Sequence, residues 1–236
     1  LRLIPVLDIL NSVVVRGVAG NRDQYRPIES CLTTSVEALD VARAIRERYS
    51  FDEFYIADLD AIMHHRSGEV LYRQLIADGF RLWIDAGVGH ATQAQAMRAS
   101  GAERVIVGLE SCLSPSDLQG IVDALSPERV VFSLDLKGGI PLAAPDWGTD
   151  PAAIAALVIS CGITQLIVLD LAAVGTGYGV PTIALCQKLR TTHGRDIEII
   201  TGGGVRGRDD IDQLEQAGVD GVLIASLLHV PGFGPP

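Results

Sequence analysis

Short apolar, β-branched blocks recur along the chain, each followed by a longer amphipathic stretch. The blocks are "RLIPVL" (2–7), "FDEFYIA" (51–57), "FRLWID" (80–85), "RVIVG" (104–108), "RVVFSL" (129–134), "TQLIVL" (164–169), "IEIIT" (197–201) and "DGVLIA" (220–225). Most lack strict alternation of polar and apolar residues, which suits strands buried on both faces of a parallel sheet. The stretches between them carry helix signals. Thr34 and Glu37 read as a capping box ahead of "ALDVARAIRERY". Ser114-Pro115, Asp150-Pro151 and Val180-Pro181 put proline where a first helical turn tolerates it. Gly79, Gly101, Gly162, Gly194 and Gly218 stand at helix ends. Eight strand–helix units in 236 residues predict an α/β fold, one (β/α)8 TIM barrel over residues 1–236. A doubly wound open sheet is the runner-up. Only "PGFGPP" follows the eighth strand and "SLLH", so the eighth outer helix is short or absent. The wall beside the last and first strands is then left for a partner or for the loop after strand one.

The chain also repeats itself. Residues 85–108 lie over 202–225 without gaps, pairing Gly87 with Gly204, Val88 with Val205 and Gly101 with Gly218. Asp8 and Asp135 end the first and fifth strands, and Asp58 and Asp170 the second and sixth. A half-barrel repeated twice makes the strand count more credible and predicts two related half-sites across one mouth.

Charge and composition narrow the partners. The net charge of -10 argues against nucleic acid as the main partner. No apolar run reaches the roughly 18 residues of a membrane span, and no signal peptide is legible, so cytoplasm is the default localisation. The cysteines Cys31, Cys112, Cys161 and Cys186 form no CxxC pair and read as buried reduced thiols.

In such a barrel the chemistry sits at the carboxyl ends of the strands, which here are rich in acids: Asp8, Asp58, Asp60, Asp85, Glu110, Asp135 and Asp170. Carboxyls at the rim of an apolar barrel have raised pKa values and suit general acid/base work on a small substrate. The plainer alternative is that some of them cap loops or pair with Arg and Lys. Metal-ligand spacing is lacking, and His64-His65 reads as a solvated pair. For phosphate, "TGGGVRGRDDI" runs a strand through Gly202, Gly203 and Gly204 into a helix start, a cradle of backbone N–H groups. Ala225 and Ser226 could add donors. In the first half, Gly87 and Gly108 keep their places but Asp85 replaces Gly202, and a carboxylate there repels a phosphate. The loop "RGVAGNRDQYRPIES" (16–30), with Arg16 and two further arginines, could close over an anionic substrate; an ordinary surface loop is the alternative.

Together "IPVLDILNSVVVRGV", "YIADLDAI", "RVIVG", "VVFSLDLKGG" and "GGGVRGRDDIDQLEQAGVDGVLIAS" resemble the HisA/HisF barrels of histidine biosynthesis, in order and over nearly the whole chain. "ADLD" (57–60) and "LDLKGG" (134–139) lean towards HisA, the phosphoribosylformimino-aminoimidazole carboxamide ribotide isomerase; "VRGV" and "IASLLH" are similar to HisF. The resemblance implies a doubly phosphorylated aminoimidazole carboxamide ribonucleotide substrate and an Amadori rearrangement, an aldose-to-ketose isomerisation without a cofactor. It implies Asp8 as general base, Asp135 as second essential carboxylate, and Gly203 and Gly204 as phosphate holders.

Two turns depart from the pattern. Where the family ends strand six with Asp-Gly-Thr, this chain has Val174 before Gly175 and Thr176, leaving Asp170 as a substitute acid; and the first "GGGIR" turn reads "DAGVGH". Three readings follow. One is a HisA-type isomerase. Another is a divergent paralogue acting on another phosphorylated compound, in methanopterin-linked one-carbon metabolism. The last is a non-catalytic anion-binding subunit. A homodimer or a partner subunit is compatible with each.

Overall fold

A computed structural model describes residues 1–234; the last two prolines of "PGFGPP" lie outside the described residues. Its strands are β1 (Arg2–Leu10), β2 (Val13–Arg16), β3 (Arg26–Pro27), β4 (Glu53–Asp58), β5 (Arg81–Asp85), β6 (Arg104–Gly108), β7 (Val130–Lys137), β8 (Ile140–Pro141), β9 (Gln165–Asp170), β10 (Glu198–Gly202) and β11 (Gly221–Ile224). Eight of them are parallel neighbours in the order β1, β4, β5, β6, β7, β9, β10, β11, and β11 pairs back onto β1, Arg2 opposite Gly221. The sheet is therefore a closed eight-stranded barrel, not the open sheet of the runner-up.

The helices are α1 (Ala38–Tyr49), α2 (Leu59–His64), α3 (Glu69–Ala77), α4 (Ala91–Ala99), α5 (Pro115–Leu125), α6 (Pro151–Ser160), α7 (Ile183–His193) and α8 (Arg208–Gln216). Ser114 caps α5 by accepting from Asp117 N, and Asp150 caps α6 by accepting from Ala152 N. Two expected starts are corrected. Glu37 is itself the residue before α1 and makes no side-chain cap bond, because Ser35 Oγ takes the Glu37 amide and donates to Asp40 instead. Pro181 lies ahead of Thr182, the residue that precedes α7, and so outside its first turn. The five glycines at helix ends all have positive φ, from +65° to +103°, a conformation that disfavours any side chain.

Period-two alternation splits each barrel strand between two cores. Ile4, Tyr55, Trp83, Ile106, Val131, Ile167, Ile200 and Leu223 fill the lumen, while Leu7, Phe54, Ile56, Leu82, Phe132, Leu166, Val168 and Ile199 face the helices. Among the described residues the one helical element after β11 is a 3-10 turn, Ser226–His229. The neighbouring wall is covered from within the chain: Tyr49 Oη donates to the Leu228 carbonyl, His229 Nδ1 meets Ser30 Oγ, and Phe233 packs edge-on against Tyr49. Of the cysteines, Cys112 and Cys186 are buried, Cys161 is partly buried, and Cys31 is exposed, which corrects the expectation for Cys31.

The half-barrel repeat extends into the loops. Asn11 and Ser12, at φ +52° and +65°, turn β1 into β2; Gly138 and Gly139, at +62° and +79°, turn β7 into β8. Both are two-residue hairpin turns that need positive φ twice.

Candidate active site

One cavity of about 220 Å³ opens at the carboxyl ends of the barrel strands. Strand register decides which acids reach it. Asp8 shares the inward face of β1 with Ile4 and Val6, Asp85 follows Trp83 on β5, and Asp135 follows Val131 and Ser133 on β7. β1 and β7 stand four strands apart in a ring of eight, so Asp8 and Asp135 face each other across the mouth.

Asp58 and Asp170 fall on the opposite phase and point at the helical layer. Asp58 is buried and accepts from Ala61 N, Gly68 N and the Tyr72 hydroxyl. Asp170 accepts from Gly138 N, Gly139 N and Ala172 N. Asp60 accepts from Ser12 N. These three carboxyls hold loops in place, and Asp170 is absent from the cavity wall, contrary to the expectation that it serves as a substitute acid. His64 and His65 are exposed at the end of α2.

The lumen acids are electrostatically strained. Burial, reinforced by the Asp85 charge, raises the Asp8 carboxyl to about 7. Burial pushes Asp135 up to about 8, against the pull of the Ser133 hydroxyl, with Asp85 adding to the rise. Asp85 is raised to about 6 by burial, opposed by hydrogen bonds from Gly87 N and the Tyr55 hydroxyl. Asp135 is held rigidly, with Ser133 Oγ at 2.7 Å and Leu109 N at 3.0 Å. Gly108 lies close beside it: a Cβ there would sit 3.0 Å from Asp135 Oδ2. Among the described residues no hydrogen bond holds the Asp8 carboxyl, which leaves it open to a ligand. Carboxyls raised in this way can hold or release a proton near neutrality.

At the other end of the cavity lie Gly203, Gly204, Val205, Ala225, Ser226 and Leu227. Gly203 and Gly204 have φ of +81° and +80°. A Cβ on Gly204 would lie 2.1 Å from the Gly179 carbonyl oxygen, so only glycine fits there. The amides of Gly204 and Val205 donate to no acceptor among the described residues, and the 3-10 turn starting at Ser226 adds unpaired N–H groups of its own. Such clustered donors suit an anion. Gly202 lies just below the cavity. Its lack of a side chain makes room for Leu223, whose Cβ would be 2.7 Å from a Cβ at 202. Thr176 lines the wall but its hydroxyl donates to the Ala173 carbonyl.

The segment after β1 forms the roof. It contains β2, β3 and a 3-10 turn (Arg22–Gln24) instead of an extended loop. Arg16 donates to the Gly175 carbonyl, Arg22 pairs with Glu110 at 2.6 Å, and Arg26 bonds carbonyls of its own loop. Gly175 packs so tightly on this roof that a Cβ would be 1.9 Å from the Gly17 carbonyl oxygen. Val174 is in the wall beside Gly17. Tyr55, Tyr25 and the Arg22–Glu110 pair were not singled out from the sequence. For Tyr55 the available signal was its place on the same strand face as Ala57.

The class is that of closed parallel eight-stranded barrels built from two related halves, here with carboxyls and a turn of unpaired backbone amides at the carboxyl rim. The model of the histidine biosynthesis protein family matches residues 2–233, so the chain belongs to that family. It is 30% identical to an uncharacterized protein of Methanocaldococcus jannaschii, over 97% of this chain and 93% of the other. It is 28% identical to a protein of Syntrophomonas wolfei, over 95% of this chain and 91% of the other, and 25% identical to one of Deinococcus radiodurans, over 97% and 93%. The latter two are named 1-(5-phosphoribosyl)-5-((5-phosphoribosylamino)methylideneamino) imidazole-4-carboxamide isomerases. Among the described residues no helix is long and apolar enough to cross a membrane.

Proposed function

We propose that this barrel isomerises a phosphorylated aldose derivative to the corresponding ketose, the Amadori-type reaction performed by its isomerase relatives. The observation that carries this reading is the shared cavity: two facing lumen carboxyls, Asp8 and Asp135, with a turn of Gly203, Gly204 and Ser226 suited to an anion beside them. The phosphate anchors the substrate and its binding energy holds the reacting carbons between the acids. Asp8, free of protein hydrogen bonds and raised to about 7, is ionised in part at neutral pH and takes the proton from the carbon next to the imine. Asp135, raised to about 8, is mostly protonated there and serves as the acid partner. Thr176 and Arg16 support the roof over this site, and Gly202 and Gly108 keep its walls close.

Solvent-deuterium exchange tests this reading. Ribose 5-phosphate and the relatives' imidazole carboxamide substrate are incubated in D2O with wild type, Asp8→Asn and Asp135→Asn. Exchange at the carbon beside the carbonyl or imine is expected in wild type, and both variants should lose at least about a hundredfold in rate. No exchange by wild type on either compound would contradict isomerisation of these substrates and leave the paralogue with a different substrate and the anion-binding subunit.

A second reading, a paralogue with a different phosphorylated substrate, is favoured over histidine synthesis by two residues of the cavity wall. Val174 stands where the family carries an acid, and Asp85 stands where the first half would carry the first glycine of its turn.

A further inference from the structure

The two halves superimpose in sequence from 85–108 onto 202–225, so each amide of the second-half anion turn has a counterpart in the first half. In the second half those amides line the cavity without protein partners. In the first half two of them, those of Gly87 and Leu109, are already taken. Gly87 N, the counterpart of Gly204 N, donates to Asp85 Oδ1 at 3.3 Å. Gly89 N, on the same turn, donates to Gln93 Oε1 at 2.8 Å, as its counterpart Arg206 N donates to Asp210 Oδ2, so this bond is common to both halves. Leu109 N, the counterpart of Ser226 N, donates to Asp135 Oδ2 at 3.0 Å. The space is closed as well. Helix α2 presses on the turn, so that a Cβ at Gly87 would lie 3.1 Å from the Ile62 Cα. Val88 and Leu109 are buried, and of this region only Asp85 and Glu110 reach the cavity.

We infer that the substrate carries a single phosphate, held by Gly203, Gly204 and Ser226, and that its opposite end presents hydroxyl or amino donors to Asp85 and Glu110. The first-half turn holds the protein's own carboxylate oxygens where a second phosphate would bind. A dianion brought there would meet the Asp85 and Glu110 carboxyls, with Arg22 already committed to Glu110. A donor-rich end meets acceptors instead. The inference rests on the phosphate cradle of the proposed function and adds the number of phosphates.

Calorimetric titration of the whole chain with inorganic phosphate, ribose 5-phosphate and the relatives' doubly phosphorylated substrate separates the outcomes. One phosphate per chain is expected, displaced by ribose 5-phosphate, with the doubly phosphorylated compound binding less than about tenfold tighter than ribose 5-phosphate. Ser226→Glu, which puts a carboxylate into the cradle from a partly exposed turn in the cavity wall, should abolish phosphate binding while the chain stays folded by circular dichroism. Two phosphates per chain, or a gain of about tenfold or more from the second phosphate, overturns the single-phosphate inference and leaves the isomerase reading standing. No phosphate binding by wild type, or binding unaffected by Ser226→Glu, removes the cradle on which both depend.

Discussion

Replacing Asp135 by asparagine keeps the shape of a buried side chain and removes its charge. Asp135 is 7% exposed and its carboxyl titrates at about 8 in the fold, against an ordinary 3.8. Between those values the folded chain keeps a proton that the unfolded chain has released. Folding is therefore favoured at low pH, and the advantage is lost as pH rises through the folded value. At about 1.36 kcal/mol per unit, the three units from about pH 5 to pH 8 amount to about 4 kcal/mol. Asp8 and Asp85 titrate in the same cavity, which reduces the share of Asp135 to about 2–4 kcal/mol. Asparagine is neutral throughout and loses one good acceptor, at a cost of about 1 kcal/mol, because the Ser133 hydroxyl can turn to accept. That cost roughly matches what the wild type has already lost by pH 5. Urea melts followed by fluorescence of the buried Trp83 and Trp147 should then find the two proteins near equal at pH 5, and Asp135→Asn more stable by about 2–4 kcal/mol at pH 8. A difference that stays constant with pH would refute the reasoning, since it would mean that Asp135 is ionised in the fold at both values.

Tyr72→Phe removes the hydroxyl that donates to the buried Asp58 carboxylate. It should lower stability by about 1–3 kcal/mol in the same melts, yet leave phosphate binding by calorimetry unchanged, because both groups lie outside the lumen. Gly204→Ala forces a Cβ to within 2.1 Å of the Gly179 carbonyl oxygen at a φ of +80°. A thermal-shift titration should show a fold destabilised by about 1–3 kcal/mol that phosphate no longer stabilises. Arg22→Ala cuts the partly exposed pair to Glu110. Stability should change by less than about 1 kcal/mol, while amide exchange across residues 17–25 rises.

Much of the architecture was legible because burial on both faces leaves apolar blocks that are hard to mistake, as in "RVIVG" and "TQLIVL". Strand ends were less so. β1 runs on to Leu10 and β7 to Lys137 because each folds straight into a hairpin, and the Asn11-Ser12 turn lacks the glycines that mark Gly138-Gly139. The acids illustrate what a list of rim residues leaves open. Asp8, Asp85 and Asp135 look like Asp58 and Asp170 in the sequence, and only register, a one-residue difference of phase, sends the first three into the lumen and the others to cap loops. The capping box at Thr34 failed for a similar local reason: Ser35 Oγ accepts from the same amide. The self-paired first-half turn needed coordinates, since Gln93 and Ile62 carry no signal of their part in it.

The most direct test of the account is the titration of the lumen carboxyls themselves, by carbon-13 NMR of aspartate-labelled protein with signals assigned through the Asp8→Asn, Asp85→Asn and Asp135→Asn variants. The account predicts midpoints near 7, 6 and 8 for Asp8, Asp85 and Asp135, with ribose 5-phosphate shifting the Asp8 signal as it enters the cavity. Midpoints for Asp8 and Asp135 near the ordinary 3.8 would leave both fully ionised at neutral pH, and the paired acid and base at the centre of the proposed reaction would be contradicted.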